Sequence, residues 1–434
     1  MKNNSSNFSE KFFTPIIELI KIKKYDEALN KLEEFSNQDS DIINRFRGSI
    51  YLNKKDWRKS LFYYEKLSDE SKNYKILNNI GVSLYKLGKF SEAINAFNKS
   101  IDINKKFLSA YENLSITHKQ LGNYDLSIKF ALQTLDLAPN NKKITNNLIE
   151  IFNYYQPKSY ENPILNLNYQ ISILDEIKNN KLIKINLINN ILERSERIFQ
   201  EKNISFNYAE TQIYRRNKIN LNCDRHFGIF NKYKIIPKSC FSCYKIQINI
   251  KNVLDLIKLY FYFNNLNLEK NNIRKCMIEL REKVLGNYKG YLYANSINEV
   301  QSLKETIKND LKNYKINFEK IEIKHGCTEY YEQYELYKNI QEDVTDKIYK
   351  KKWDNIEKDF DKKNFIIEKN EEKVYDNTIN KFNLSDFLII KNWFIYANII
   401  NDYSYKDIFK FDIKTDHIAK IDIEKIKMRK TKDD

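Results

Sequence analysis

The 434-residue chain is poor in glycine (8), proline (5), methionine and tryptophan (3 each). Lysine, asparagine and isoleucine are abundant instead, the bias that an AT-rich genome imposes on any protein. The net charge of +16 and pI of about 9.2 therefore count for little as evidence of nucleic-acid binding, although they permit a weak attraction to polyanions. No run of 18 or more uncharged apolar residues occurs, which excludes a helical membrane span. The opening Met1-Lys2-Asn3-Asn4-Ser5-Ser6 has no apolar signal core, so a cytoplasmic protein is expected. The five cysteines are odd in number, and without a secretory signal they argue against a disulfide framework. A glycine-rich phosphate loop, a G-x-S-x-G elbow and an H-E-x-x-H helix are all missing from the sequence.

What is present is a repeat. Tyr25-Asp-Glu-Ala28, Trp57-Arg-Lys-Ser60, Phe90-Ser-Glu-Ala93 and Tyr124-Asp-Leu-Ser127 each place a small residue three positions after an aromatic one, and the copies recur every 32 to 34 residues. A fixed period of this size marks a solenoid, whose units bury their apolar faces only by stacking. The third copy is the most complete, with Leu77, Ile80, Gly81, Leu84, Gly88, Phe90, Ala93 and Phe97 in order. The fourth adds Tyr111, Leu114, Gly122, Tyr124, Ser127 and Pro139. Gly81 and Ala93 are small where two helices touch, Gly88 and Gly122 suit a left-handed helix end, and Pro139 stops a helix.

This order of landmarks resembles the tetratricopeptide repeat, a helix-turn-helix unit of 34 residues. The resemblance covers roughly residues 10–155. It weakens upstream, where Lys55 takes a turn glycine's place and Ile16 that of the packing glycine; Ser115 stands at the packing position of copy four. It implies a curved groove for a protein or peptide partner. Asn79, Asn113 and Asn147 recur at 34-residue intervals on the first-helix position that faces such a groove, where an amide can bond an extended backbone in both directions. Lys75 and Lys119 near the same face favour an acidic peptide or free carboxylate, and Val82, Tyr85 and Ile116 supply apolar contacts.

Beyond the repeats the pattern changes. Pro157 and Pro163 break the helical periodicity, and an apolar stripe from Leu182 to Leu192 reads as a helical cap or linker over 156–205. From residue 206 to 335 an α+β domain is expected. Tyr244 to Ile250 alternates as a strand with one buried face, Asn252 opens a helix, and Cys276 to Leu280 and Tyr291 to Ala294 are strands. Ser296-Ile-Asn-Glu299 is a capping box opening another helix, and Phe318 to Ile323 is a last strand. The order β-α-β-β-α-β is the ferredoxin-like arrangement, which hosts many functions and names none. Residues 336–434 read as extra helices and a basic tail. They include a charged, solvated stretch around Lys350-Lys351-Lys352-Trp353 and an aromatic helix from Leu384. The fold class is thus α+β and multidomain, an all-α solenoid followed by a ferredoxin-like domain with added C-terminal helices.

All five cysteines lie in one segment. Cys223-x2-His226 and Cys240-x2-Cys243 are two pairs spaced to chelate tetrahedral zinc, with His325 and Cys327 as substitute ligands. The topology expected brings His325-Gly326-Cys327 beside Cys240 to Cys243, with Cys276 at the same end of the sheet. Structural zinc, buried thiols and a redox or nucleophilic cysteine remain open alternatives. Lys289-Gly290-Tyr291-Leu292-Tyr293-Ala294 partly resembles the strand-three signature of RNA-recognition motifs, which stack bases on two aromatics. Leu292 departs from that pattern, and strand one offers Lys245, Gln247 and Asn249 but no aromatic. The leading expectation is an adaptor that recruits a partner or protein substrate through its groove. A repeat-coupled enzyme with a Cys/His site is the second reading, and an RNA binder the third and weakest.

Overall fold

The computed structural model describes residues 13–35, 40–174, 184–202, 204, 206–281, 284–341, 344–364 and 376–412. They fall into two compact units divided after Ile144.

The first unit is helical. Its helices are α1 (Thr14–Lys21), α2 (Tyr25–Glu33), α3 (Ser40–Asn53), α4 (Trp57–Glu65), α5 (Tyr74–Lys86), α6 (Phe90–Ile103), α7 (Leu108–Gln120) and α8 (Tyr124–Leu137), and α9 (Lys142–Ile151) follows. The four aromatic landmarks each open the second helix of a pair. Phe90 is buried, while Tyr25, Trp57 and Tyr124 are half-buried. Small residues set how closely paired helices approach. A Cβ added at Gly81 would overlap the Phe97 ring, and one at Gly48 would come within 2.7 Å of the Tyr64 ring. Ile16 and Ala28, both fully buried, fill the equivalent contact in the first pair. Gly88 and Gly122 turn the chain at positive φ, and Lys23 and Lys55 adopt the same left-handed conformation at the matching turns, each at φ 62°. A side chain held there costs roughly 1 kcal/mol or more.

The second unit begins with helices α10 (Pro163–Ser172) and α11 (Ile185–Lys202). Pro163 starts its helix at the first-turn position, with the Asn162 side chain accepting from the Ile164 N–H. Leu182 of the expected stripe lies outside the described residues; Ile188, Ile191 and Leu192 are buried.

A five-stranded antiparallel sheet follows: β1 (Gln212–Arg215), β2 (Tyr244–Ile250), β3 (Arg274–Ile278), β4 (Tyr288–Ala294) and β5 (Phe318–His325), in the spatial order β1-β3-β4-β2-β5. Helix α12 (Cys223–Tyr233) lies between β1 and β2 in sequence, α13 (Val253–Asn265) between β2 and β3, and α14 (Ile297–Asn313) between β4 and β5. Asn252 caps α13 through the Asp255 N–H, and Ser296 caps α14 through the Glu299 N–H while Glu299 accepts from the Asn295 N–H. Gly290 lets α13 close on the sheet, because a Cβ there would strike the Leu259 side chain.

Four expectations need correction here. Edge strand β1 was not anticipated. The polar face of β2 is not solvated: Lys245 and Gln247 are both 7% exposed. Lys245 Nζ donates to the Gly326 carbonyl after β5 at 2.8 Å, and Gln247 Nε2 donates to Asn249 Oδ1 at 2.9 Å and Glu322 Oε1 at 3.4 Å. Cys276 pairs with Gly290 in the middle of the sheet, away from the Cys243 end. The stretch around Lys350 is not one solvated helix. It comprises α15 (Val344–Ile348) and α16 (Lys352–Asn364), and Trp353 is buried with its ring 5.7 Å from Tyr334 and 5.5 Å from Tyr349.

Helix α17 (Leu384–Ile399) is buried nearly all round. Trp393 Nε1 donates to the Thr211 carbonyl beside β1. The fully buried Asp386 pairs with Arg215 of β1 at 2.7 Å.

Candidate functional site

In the first unit the groove candidates lie on α5 and α7. Lys75 is exposed; Asn79, Tyr85, Asn113 and Lys119 are half-buried. The asparagines are partly committed inside the unit. Asn79 Nδ2 donates to the Tyr64 hydroxyl at 3.1 Å, and Asn113 Nδ2 donates to Asn78 Oδ1 at 2.9 Å. Tyr64 and Asn78 each sit on a neighbouring helix, so these amides also join one helical pair to the next. Burial raises the Tyr85 hydroxyl pKa, so Tyr85 offers a neutral donor. Asn147 belongs to the second unit, where it is buried.

In the second unit the cysteine-rich segment gathers around the start of β2. The Gly326 N–H donates to the Cys243 carbonyl at 2.8 Å, and Tyr244 pairs with His325. Cys240 Sγ lies 3.7 Å from the Tyr330 hydroxyl, and Tyr337 donates to the Cys240 carbonyl at 2.7 Å. The hydrogen bond between the Cys240 and Cys327 thiols raises the first and lowers the second. Burial pushes Cys243 up to about 12 and Cys223 up to about 11. These two thiols therefore stay protonated near neutrality. His325 is sandwiched between Tyr244 and Tyr337, with centroids at 5.1 and 4.0 Å, and its Nε2 meets the Asn339 carbonyl at 3.0 Å. Burial lowers its pKa, leaving a neutral ring. Cys223 is exposed at the start of α12. All five cysteines are free, and among the described residues no three His, Cys, Asp or Glu side chains meet as a group able to hold a metal ion.

His226 turns instead to Ser239, with Nε2 and Oγ 2.8 Å apart. Sequence reading missed this pair, since 13 residues separate its members and no motif joins them. Ser239 lines an open cleft of about 680 Å³ with Lys238, Phe241, Tyr244, Asn295, Ile297, Asn298 and Glu357 among its walls.

On the sheet face opposite α13, Lys275 of β3 stands opposite Tyr291 of β4. Lys275 Nζ lies 4.9 Å from the Tyr291 ring centroid and Lys245 Nζ 5.3 Å. Tyr291 is 4% exposed, so its ring does not present a free stacking surface. Among the described residues no helix is long and apolar enough to cross a membrane.

Comparison with known proteins puts a family name to the first unit. Residues 74–107 and 108–141 each match the family model of the tetratricopeptide repeat, and the chain carries two such repeats there. It is 30% identical over 127 residues to the intraflagellar transport protein 88 homolog of Homo sapiens, covering 26% of this chain and 15% of that protein. It is 23% identical over 133 residues to U-box domain-containing protein 70 of Oryza sativa subsp. japonica, covering 30% of this chain and 16% of that one. The chain thus spans about a sixth of the length of these curated relatives. Similar solved structures include the first tetratricopeptide domain of Spaghetti (RPAP3) bound to an HSP90 peptide, at 22% identity and TM-score 0.25, covering 26% of this chain and 90% of that one. MamA is another, at 14% identity and TM-score 0.29, covering 31% and 81%.

Proposed function

We propose that this chain is a protein-interaction adaptor whose repeats hold a peptide segment of a partner and bring it to the second unit. The observation that carries the reading is the pair of tetratricopeptide repeats at 74–141, whose first helices leave Lys75, Asn79, Asn113 and Lys119 at least partly open to solvent. Each amide spends a donor on a neighbouring helix, and the remaining amide atoms can meet a partner's backbone. The lysines favour a carboxylate-bearing peptide. Such grooves act through a few dominant contacts.

In the second unit, strands β2 to β5 with α13 and α14 are read as a ferredoxin-like arrangement extended at one edge by β1. The element order and antiparallel neighbours support this reading. The domains proposed are repeats to 155, a helical cap over 156–205, the α+β domain over 206–335, and C-terminal helices beyond.

The test is fluorescence polarisation against a library of labelled acidic peptides with free C termini. Lys75→Ala with Asn113→Ala is expected to weaken the best binder about tenfold or more, close to 1.4 kcal/mol, with the circular dichroism spectrum unchanged. A binder indifferent to both substitutions, or a library without a binder, would reject the groove assignment.

A further inference from the structure

We propose that Ser239 is a nucleophile with His226 as its base, in a cleft that takes a carboxylic ester or thioester with an apolar acyl group. This activity is independent of the adaptor reading.

The first support is the 2.8 Å contact between Ser239 Oγ and His226 Nε2, the distance at which a base takes a hydroxyl proton. The second is how the pair is held. Arg225, next to His226, forks onto Asp361 at 2.7 and 2.9 Å and donates to Glu357 at 3.0 Å. The other Glu357 oxygen accepts from the backbone N–H of Lys238, next to Ser239, at 2.9 Å. One carboxylate on α16 thus fixes the residue before each member. Glu357 itself is steadied by the Tyr349 hydroxyl at 3.0 Å. Gly228 lets α12 close on α16, since a Cβ there would meet the Phe360 ring at 2.8 Å.

The third support is the cleft. Ser239 is exposed and His226 is 8% exposed behind it, so the nucleophile faces substrate and the base is screened from water. Burial, and then the neighbouring Arg225, lower the His226 pKa, so the imidazole is neutral and free to accept a proton at pH 7. Ile297 and Asn298, the first two residues of the 17-residue helix α14, line the same cleft. Their N–H groups precede the intrahelical ladder and can donate to a developing oxyanion. Phe241, Tyr244 and Ile297 give the walls apolar surface, and a cleft of this size accepts a medium acyl group.

The chemistry balances without a cofactor. Ser239 Oγ bonds to the carbonyl carbon as its proton passes to His226 Nε2. The bond to the leaving alkoxide or thiolate breaks, and that group takes the proton from His226. Water then attacks the acyl-serine, giving its proton to His226; the carboxylic acid leaves and Ser239 recovers its proton.

The full chain is treated with a fluorophosphonate probe and separately assayed with p-nitrophenyl butyrate. One covalent adduct mapped to Ser239, with ester turnover above buffer, is expected. Ser239→Ala should abolish labelling and cut turnover about 100-fold or more, and the wild-type rate should rise with pH through a midpoint below 6.5. Because His226 is buried, His226→Gln is read alongside its circular dichroism spectrum, and the exposed Ser239→Ala decides if it fails to fold. Glu357 is a positioning residue, and Glu357→Gln should lower kcat with KM nearly unchanged. Wild-type protein inert to both reagents, or labelling that persists in Ser239→Ala, would overturn the proposal.

Discussion

Ser115 and Ser127 exchange hydrogen bonds across one helical pair. Ser115 Oγ donates to the Ser127 carbonyl at 2.9 Å, and Ser127 Oγ donates to the Ser115 carbonyl at 2.7 Å. In the preceding repeat the same two places hold Gly81 and Ala93, which make contact by being small. Serine is nearly as small, and here its hydroxyl would be stranded without a partner, since both residues are fully buried. The exchange resolves that conflict. Ser127→Ala is expected to lower stability by about 1 kcal/mol. Ser115→Gly should cost roughly 2 kcal/mol, since it also puts glycine inside a helix. The two hydroxyls also lie 3.4 Å apart, so the double variant should cost less than the sum of the single ones. Urea unfolding followed by circular dichroism measures this; a double variant as stable as wild type would mean that the hydroxyls contribute nothing.

Arg215 and Asp386 form a buried charge pair in the second unit, at 2% and 0% exposure. Arg215 also donates to Asn264 Oδ1 at 2.8 Å and to the Tyr260 hydroxyl at 3.1 Å, and Tyr260 donates to Asp386 at 2.9 Å. Truncating one partner leaves the other charged and dry. Asp386→Ala is expected to cost about 3–5 kcal/mol, whereas Arg215→Met with Asp386→Leu should recover most of that loss. Thermal unfolding of the three proteins separates the cases. A single variant as stable as the double one would show that solvent or another group reaches the arginine.

The repeats were legible in sequence because their landmarks are local and periodic: an aromatic, a small residue and a turn glycine at fixed offsets leave few alternatives. The same logic located the caps at Asn252 and Ser296. It failed where structure depends on distant partners. Strand β1 has four residues, too few to show alternation, and it exists because it pairs with β3. Lys245 and Gln247 read as a solvated face because nothing local foretells that Gly326 meets the first and Glu322 of β5 the second. Trp353 looked like part of a charged surface until Tyr334 and Tyr349 came to meet it. The spacing of Cys223, His226, Cys240 and Cys243 suggested chelation. Yet the fold turns His226 toward Ser239 and Cys240 toward Tyr330 and Cys327, because a helix and a 3-10 turn aim those side chains where loops would have let them converge. Asn147 follows the 34-residue period in sequence but is buried in the second unit.

Lys275 gives a pH dependence on the alkaline side. Burial, then the charges of Lys245 and Arg281, push its ammonium down to about 8, while Glu279 and Glu329 pull it back up. The rings of Tyr291 and Tyr214 lie 4.9 and 5.3 Å from its nitrogen. An unfolded lysine titrates near 10.4. Below pH 8 both states bind the proton, and the folded state bears the full penalty of the charge. Between pH 8 and about 10.4 the folded amine releases its proton first, the unfolded chain binds more protons, and stability gained from this site rises with pH. Each pKa unit corresponds to about 1.4 kcal/mol, which solvent screening of this partly exposed amine reduces to a total of about 2 kcal/mol. Lys275→Met keeps the length and apolar stem, abolishes the charge, and forfeits ring contacts of about 0.5–1 kcal/mol. The variant is therefore expected to be about 1 kcal/mol more stable than wild type at pH 7 and to lose that advantage by pH 10.4. Urea unfolding of both proteins from pH 7 to 10.5 checks it. A difference constant across that range would mean that the ammonium is as well stabilised on this sheet face as in water, which a counter-anion held between Lys275 and Lys245 would achieve.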